Sequence, residues 1–165
     1  MSSDELPPWH SPLAAITGAR HGGQVTGLLE QLRTLDTAHP HIAQIAYQLA
    51  WTLDAAGCPA DAIPHYERAI ALGLPPNEHS GALLGLGSSY RLLGELDRAD
   101  SSLTQGRTQY PANREFEVFL ALLRHDQGRP AEALQLALGV LLDTSEDIGV
   151  TAHQRAVRHH VAALH

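Results

Sequence analysis

The sequence predicts an all-α protein, built as a right-handed superhelix of stacked helix pairs, and three observations support this fold class. The helix-favouring residues Leu and Ala number 26 and 24, whereas the β-branched Ile and Val number six each. Glycines recur every 34 to 37 residues, and each is followed five residues later by alanine. The 165 residues, 44% of them hydrophobic, are enough to form a core of ordinary size.

The recurring glycines are Gly57, Gly94 and Gly128. Each is expected to end the first helix of a pair, because glycine adopts the left-handed conformation that a tight helix end requires. Counting back 34 residues from Gly57 reaches Gly23, which predicts an earlier and less regular turn. One pair cannot bury its apolar face alone, so successive pairs are expected to stack.

Small residues lie where the two helices of each pair are expected to cross. The second helices carry Ala62, Ala99 and Ala133, and the first helices carry Ala50, Gly87 and Ala121. Replacing Ala99 or Gly87 by Leu is therefore expected to overpack the crossing, at a cost of about 1–3 kcal/mol.

Pro64 leaves two alternatives open for the second helix of the first full pair. If Asp61 is the N-cap, Pro64 lies within the first turn, where proline is tolerated. If the helix begins at Pro59, Pro64 lies in its interior and is expected to cause a kink.

The spacing of small residues, aromatic or Leu positions, turn glycines and alanines resembles the tetratricopeptide-repeat family, most clearly from Leu86 to Pro111. Arg124 departs from the pattern, since the family usually has an aromatic residue there. Residues 63–74 and 81–90 resemble a small, mostly uncharacterised bacterial branch of the family. That resemblance implies dimerisation as a possibility.

The repeat spacing predicts a flexible N-terminus over residues 1–11, a repeat domain over 12–147 and a C-terminal capping helix over 148–165. The domain is expected to hold about three and a half repeats, over residues 12–42, 43–79, 80–113 and 114–147. The last helix carries an apolar stripe of Val150, Val157, Val161 and Leu164. This stripe fits either a cap on the stack or a contact with a second copy.

The stack is expected to bind partners on its concave wall, which the first helices of the pairs would form. Helical spacing places the following candidates for a partner-binding groove on that wall: Gln44, Tyr47, Gln48, Trp51, Leu84, Ser88, Arg91, Glu115, Phe119, Leu122 and His125. Aromatic, Arg and aliphatic side chains suit a peptide or protein segment. A core position remains an alternative for Trp51 and for Leu84, Val118 and Leu122.

Charge and motif content disfavour several other classes of function. The formal net charge of −7 disfavours nucleic acid as a partner, and no segment is long and apolar enough to predict a membrane span. His39 and His41, and the adjacent His159 and His160, lack the spacing of a helical metal site, so no metal or other cofactor is expected. Cys58 is expected to be an inert surface thiol.

The sequence therefore predicts a non-catalytic adaptor that binds a protein or peptide, with a cytoplasmic location. The alternative is a self-assembling homodimer whose groove or terminal helix is occupied by its own copy.

Overall fold

The structure of the chain is a computed structural model, which describes residues 6–20 and 25–165. Within these ranges the chain forms helices and no strand, which confirms the predicted all-α class. The helices are α1 (His10–Arg20), α2 (Val25–Ala38), α3 (Ala43–Ala55), α4 (Pro59–Leu72), α5 (Pro76–Leu92), α6 (Leu96–Gln109), α7 (Glu115–Asp126), α8 (Pro130–Thr144) and α9 (Ile148–Ala162). The predicted turn at Gly23 lies outside the described residues.

The chain divides into two compact units, Met1–Leu93 and Gly94–His165. Unit 1 contains α1 to α5, and unit 2 contains α6 to α9. Helix α1 begins at His10, two residues before the predicted start of the repeat domain. The remaining predicted domain boundaries stay predictions.

The turn glycines adopt the conformation that their spacing predicts. Gly57, Gly94 and Gly128 have φ angles of 77°, 77° and 72°, in the left-handed region that glycine reaches without steric cost. Gly73 also has a positive φ, 91°, directly after the end of α4. The helix ends predicted at the three repeat glycines are confirmed.

Helix α4 begins at Pro59, with Cys58 as its N-cap. The backbone N–H of Ala62 donates to the carbonyl oxygen of Cys58 at 3.1 Å, so the first turn is already formed there. Pro64 consequently lies inside the helix, and the alternative with Asp61 as the N-cap is wrong. Proline at the first position costs no hydrogen bond, because that N–H has no partner within the helix.

The core of unit 1 is organised around Tyr66, which is only 1% exposed. Its hydroxyl donates to Asp54 at 3.2 Å, and the Ser89 hydroxyl donates to the same carboxylate at 2.8 Å. Asp54 therefore joins α3, α4 and α5. Burial raises the pKa of Asp54, and the two hydrogen bonds partly oppose that shift. At the crossing of α3 and α4, Ala50 and Ala62 are fully buried.

Unit 2 has its best-packed region around the fully buried Phe116 of α7. A Cβ atom at Gly106 would lie 2.0 Å from the Phe116 ring, so only glycine allows α6 to approach this closely. Arg124 donates to the carboxylate of Asp100 at 2.6 and 3.1 Å. The residue that departs from the repeat pattern thus joins α7 to α6 through an ion pair.

Helices α8 and α9 bury fewer residues than the region around Phe116. The side-chain amide of Gln135 donates to the carbonyl of Leu164 at 3.0 Å, and that of Gln154 donates to the carbonyl of Leu142 at 2.5 Å. Only Leu142 is buried in α8, and no residue of α9 is buried. The predicted apolar stripe of α9 is accordingly half-buried against α8.

Candidate functional site

The candidate functional site is a cleft in unit 1, bordered by α1, α3 and the beginning of α5. Its volume is about 680 Å³. Its lining residues are Trp9, His10, Leu13, Ala14, Thr17, Gln44, Gln48, Trp51, Pro75, Asn77 and Glu78. A concave, largely apolar cavity with a few polar groups has the composition of a ligand-binding site.

Trp51 and Trp9 are the two tryptophans that line the cleft. Trp51 is 42% exposed on α3, and its ring stacks on that of Tyr47 with centroids 6.1 Å apart. Trp9 directly precedes α1, and its ring lies 5.9 Å from that of His10. The exposure of Trp51 therefore favours a groove position over a core position.

All three elements that border the cleft contribute polar groups. Gln44 and Gln48 lie one turn apart on α3, and Gln48 is buried. Glu78 lies in the first turn of α5. The Oε2 atom of Glu78 is buried, and none of the described residues forms a hydrogen bond with it. Desolvation raises the pKa of this carboxyl above its ordinary value.

Tyr47, Leu84, Ser88 and Arg91, the other predicted groove residues of unit 1, are all half-buried. None of them lines the cleft. Tyr47 is directed toward α5, since its hydroxyl occupies the space that a Cβ atom at Gly81 would need. The structure thus brings three predicted residues, Gln44, Gln48 and Trp51, into one cleft and leaves the other four outside its lining.

The predicted groove residues of unit 2 all lie on α7. Glu115, Leu122 and His125 are exposed, and Phe119 is half-buried. Val118 and Leu122 are 43% and 44% exposed, so neither belongs to the core of unit 2. These residues form an apolar surface with a charged residue at its N-terminal end.

Sequence reasoning missed the α1 side of the cleft and Glu78. The first repeat is irregular, so its spacing did not predict that Trp9, His10 and Leu13 would face α3. Glu78 lies in the segment that makes one interval three residues longer than the others, outside the repeat pattern. The tryptophan at position 9 was the available signal, because tryptophan is enriched among the residues that dominate binding energy at interfaces.

Other kinds of site find little support in the described part of the chain. No group of three or more His, Cys, Asp or Glu side chains is arranged to hold a metal ion there. None of the helices in residues 6–20 and 25–165 is long and apolar enough to span a membrane. Cys58 is a free thiol of intermediate exposure.

Comparison with protein families finds a match to the family described as tetratrico peptide repeat, over residues 43–164. No curated protein sequence matches the chain. The family model covers well over half of the chain.

Among solved structures, the chain is similar to TTC0263, a tetratricopeptide-repeat protein of Thermus thermophilus, at 21% identity and a TM-score of 0.67 over 90% of this chain and 80% of that one. It is also similar to YrrB, described as having an unusual peptide-binding site, at 17% identity and a TM-score of 0.71 over 90% and 75% of the two chains. MamA from Desulfovibrio magneticus RS-1 gives 18% identity and a TM-score of 0.69 over 94% and 89%. These similarities confirm the fold class.

Proposed function

Because the chain belongs to the tetratricopeptide-repeat family, we propose that it is an interaction module that binds a peptide or protein segment and carries out no catalysis. Proteins of this family generally mediate protein–protein interactions. The observation that carries the proposal is the cleft of about 680 Å³ between α1, α3 and α5, which both tryptophans of the chain line. Tryptophan is enriched among the residues that dominate binding energy at interfaces.

The cleft has the size and chemistry that a short peptide segment needs. Its apolar lining, including Leu13 and Trp51, supplies area to remove from water. The amides of Gln44 and Asn77 supply donors and acceptors for a peptide backbone. Since α1 and α3 form its walls, an extended segment could lie between two helices that already exist in the free protein.

The exposed α7 residues Glu115, Leu122 and His125, with the half-buried Phe119, are proposed as a further contact surface for a protein partner. Leu122 exposes 44% of its surface. Leu84, Ser88 and Arg91 remain proposed groove residues of unit 1, and Tyr47 is proposed to act by supporting the Trp51 ring.

Screening a peptide array for binding, and then measuring the intrinsic tryptophan fluorescence on addition of each hit, tests the proposal. Peptides that bind the cleft should change the intrinsic fluorescence, because Trp9 and Trp51 both line it. The double variant Trp51→Ala, Leu84→Ala should bind array hits at least about tenfold more weakly, since truncating an interface tryptophan costs about 2 kcal/mol or more. Circular dichroism should show helicity close to that of the wild type.

The matched control is Leu72→Ala, which removes a side chain of similar exposure, 39%, from α4 outside the cleft lining. It should leave binding unchanged. If the double variant binds as tightly as the wild type, the cleft is not the binding site. If its melting temperature collapses, Trp51 and Leu84 support the core and the assignment of the groove is wrong.

A second candidate function, self-assembly into a homodimer, is favoured by the exposed face of α8. Leu134 and Leu141, seven residues apart on one face of the helix, are 46% and 47% exposed. Ile148, at the start of α9, is 84% exposed. Two copies that contacted each other through this surface would bury the exposed leucines of both copies in a two-fold interface.

Light scattering after gel filtration tests the homodimer. A wild-type dimer that becomes monomeric when Leu134 and Leu141 are both replaced by Gln would support self-assembly through α8. A wild-type monomer at about 100 µM would exclude it. The proposed cytoplasmic location is tested separately by fractionating the host cells.

A further inference from the structure

We infer that the cleft in unit 1 receives a cationic side chain of the bound peptide, with arginine preferred, and that Glu78 is its counter-ion. This inference rests on the proposed peptide-binding function and adds to it the chemistry of the anchoring residue. Three observations carry it: the buried carboxylate oxygen, the two tryptophans and the distribution of charge around the cleft.

The first observation is the Oε2 atom of Glu78, which is buried without a hydrogen-bond partner among the described residues. A buried acceptor without a donor is unfavourable, and more so when it is charged. An acidic residue in the first turn of α5 is explained by the helix dipole. The dipole does not explain why a residue that lines the cleft keeps one carboxylate oxygen buried without a donor.

The second observation is that Trp9 and Trp51 line the same cleft as Glu78. The face of an indole ring attracts cations, and the guanidinium of arginine also stacks on it as a flat group. Trp51 is held in place by its stacking on Tyr47. A carboxylate and aromatic rings around one cavity form the environment that a cationic side chain with an apolar stem needs.

The third observation is the balance of charge around the cleft. Within residues 6–20 and 25–165, Glu78 and His10 are its only ionisable lining residues, and no Arg or Lys lines it. An acidic peptide side chain would meet the like charge of Glu78. A purely apolar one would bring no charge to balance that of Glu78. A cation avoids that repulsion and balances the charge of Glu78, and the side-chain oxygens of Gln44 and Asn77 can accept its N–H groups.

A positional-scanning library of nonapeptides, N-acetylated and C-amidated, tests the inference without knowledge of the natural partner. The central residue is Arg, Lys, citrulline or Glu, and the flanking positions are mixtures. Citrulline has nearly the shape of arginine but no charge. The Arg mixture should bind about tenfold more tightly than the citrulline mixture, and the Glu mixture most weakly, with tryptophan fluorescence as the readout.

Glu78→Gln keeps the size of the side chain and removes its charge, so it should abolish the preference for Arg over citrulline. Glu30→Gln is the matched control, because Glu30 is exposed on α2 outside the cleft lining. This control should keep the full preference. Melting temperatures of both variants show whether they remain folded.

The outcomes separate the inference from the function on which it rests. If the citrulline mixture binds as tightly as the Arg mixture, or if Glu78→Gln keeps the preference, peptide binding stands and the cationic anchor is wrong. If no mixture changes the tryptophan fluorescence at 1 mM peptide, both the peptide-binding function and the anchor are wrong.

Discussion

Two helix pairs with the same repeat spacing, α3–α4 in unit 1 and α7–α8 in unit 2, are packed very differently. In α4 the residues Ala62, Ile63, Tyr66 and Ala69 are buried, whereas in α8 only Leu142 is. Tyr66 lies nine residues after its turn glycine, and Ala137 occupies that position in α8 and is exposed. The repeat spacing determines where the helices end, but individual side chains determine how much of each pair is buried.

The helix that follows each pair explains much of this difference. In unit 1, α4 packs against α5, where Gly85 leaves room for the Tyr66 ring. In unit 2, α8 packs against α9, whose apolar residues after Ile148 are valines and alanines, and no residue of α9 is buried. A large side chain facing a glycine fills the space between helices, whereas short side chains leave part of the surface exposed.

Enlarging the alanine at the helix crossing should give the largest difference between the two pairs in the free energy of unfolding. Ala62→Leu places three additional carbon atoms at a position that is 0% exposed, and should lower the free energy of unfolding by about 1–3 kcal/mol. Ala133→Leu makes the same change at a half-buried position of α8 and should cost less than about 0.5 kcal/mol. Urea unfolding followed by circular dichroism measures both. Equal costs would mean that the pairs are equally tight.

Glycine-to-alanine variants should change the free energy of unfolding in opposite directions in the two units. At Gly85 a Cβ atom would lie 2.4 Å from the Tyr66 ring, and that ring is fixed by its hydrogen bond to Asp54. The expected net loss is about 1–2 kcal/mol, after the helix propensity of alanine is included. At Gly139 a Cβ atom would meet nothing within 4 Å, so stability should rise by about 0.5–1 kcal/mol. A stabilising Gly85→Ala would show that Tyr66 moves freely.

Breaking the ion pair between Arg124 and Asp100 should have a modest effect, about 1 kcal/mol for Arg124→Ala, because the Asp100 side chain remains 30% exposed to solvent. The hydrogen bond from Arg124 lowers the pKa of Asp100. A lowered carboxyl pKa stabilises the folded state above the unfolded value near pH 4, and this contribution is lost as the pH falls through the folded pKa. The difference between wild type and variant should therefore shrink as the pH falls below the unfolded carboxyl value near 4.

Arg98→Ala is the control for that ion pair, because Arg98 and Glu95 form an exposed i, i+3 pair in the same unit. It should change the stability by less than about 0.5 kcal/mol at any pH. If the two variants behave alike, Arg124 contributes no more than an ordinary surface charge.

Much of the backbone could be predicted from the sequence because it depends on local rules. Gly57, Gly94 and Gly128 end their helices as predicted, since only glycine adopts the left-handed conformation without strain. Pro59 and Pro130 begin the helices that follow, because a first-turn proline loses no hydrogen bond.

The candidate site could be predicted only in part. Helical periodicity placed Gln44, Gln48 and Trp51 together, since residues three, four and seven apart share one face of a helix. Periodicity could not place Trp9 or Glu78 beside them, because both lie outside the regular repeat and reach the cleft through the packing of different helices.

The sequence by itself determined the regular helix pairs and their turns at Gly57, Gly94 and Gly128, because these depend on residues within one turn of each other. Only the tertiary structure decided which helix faces stay exposed to solvent and which polar groups are buried away from it. The buried oxygen of Glu78 and the exposed leucines of α8 are such features. They follow from the shapes of side chains that are distant in sequence, and no local spacing encodes how those shapes fit together.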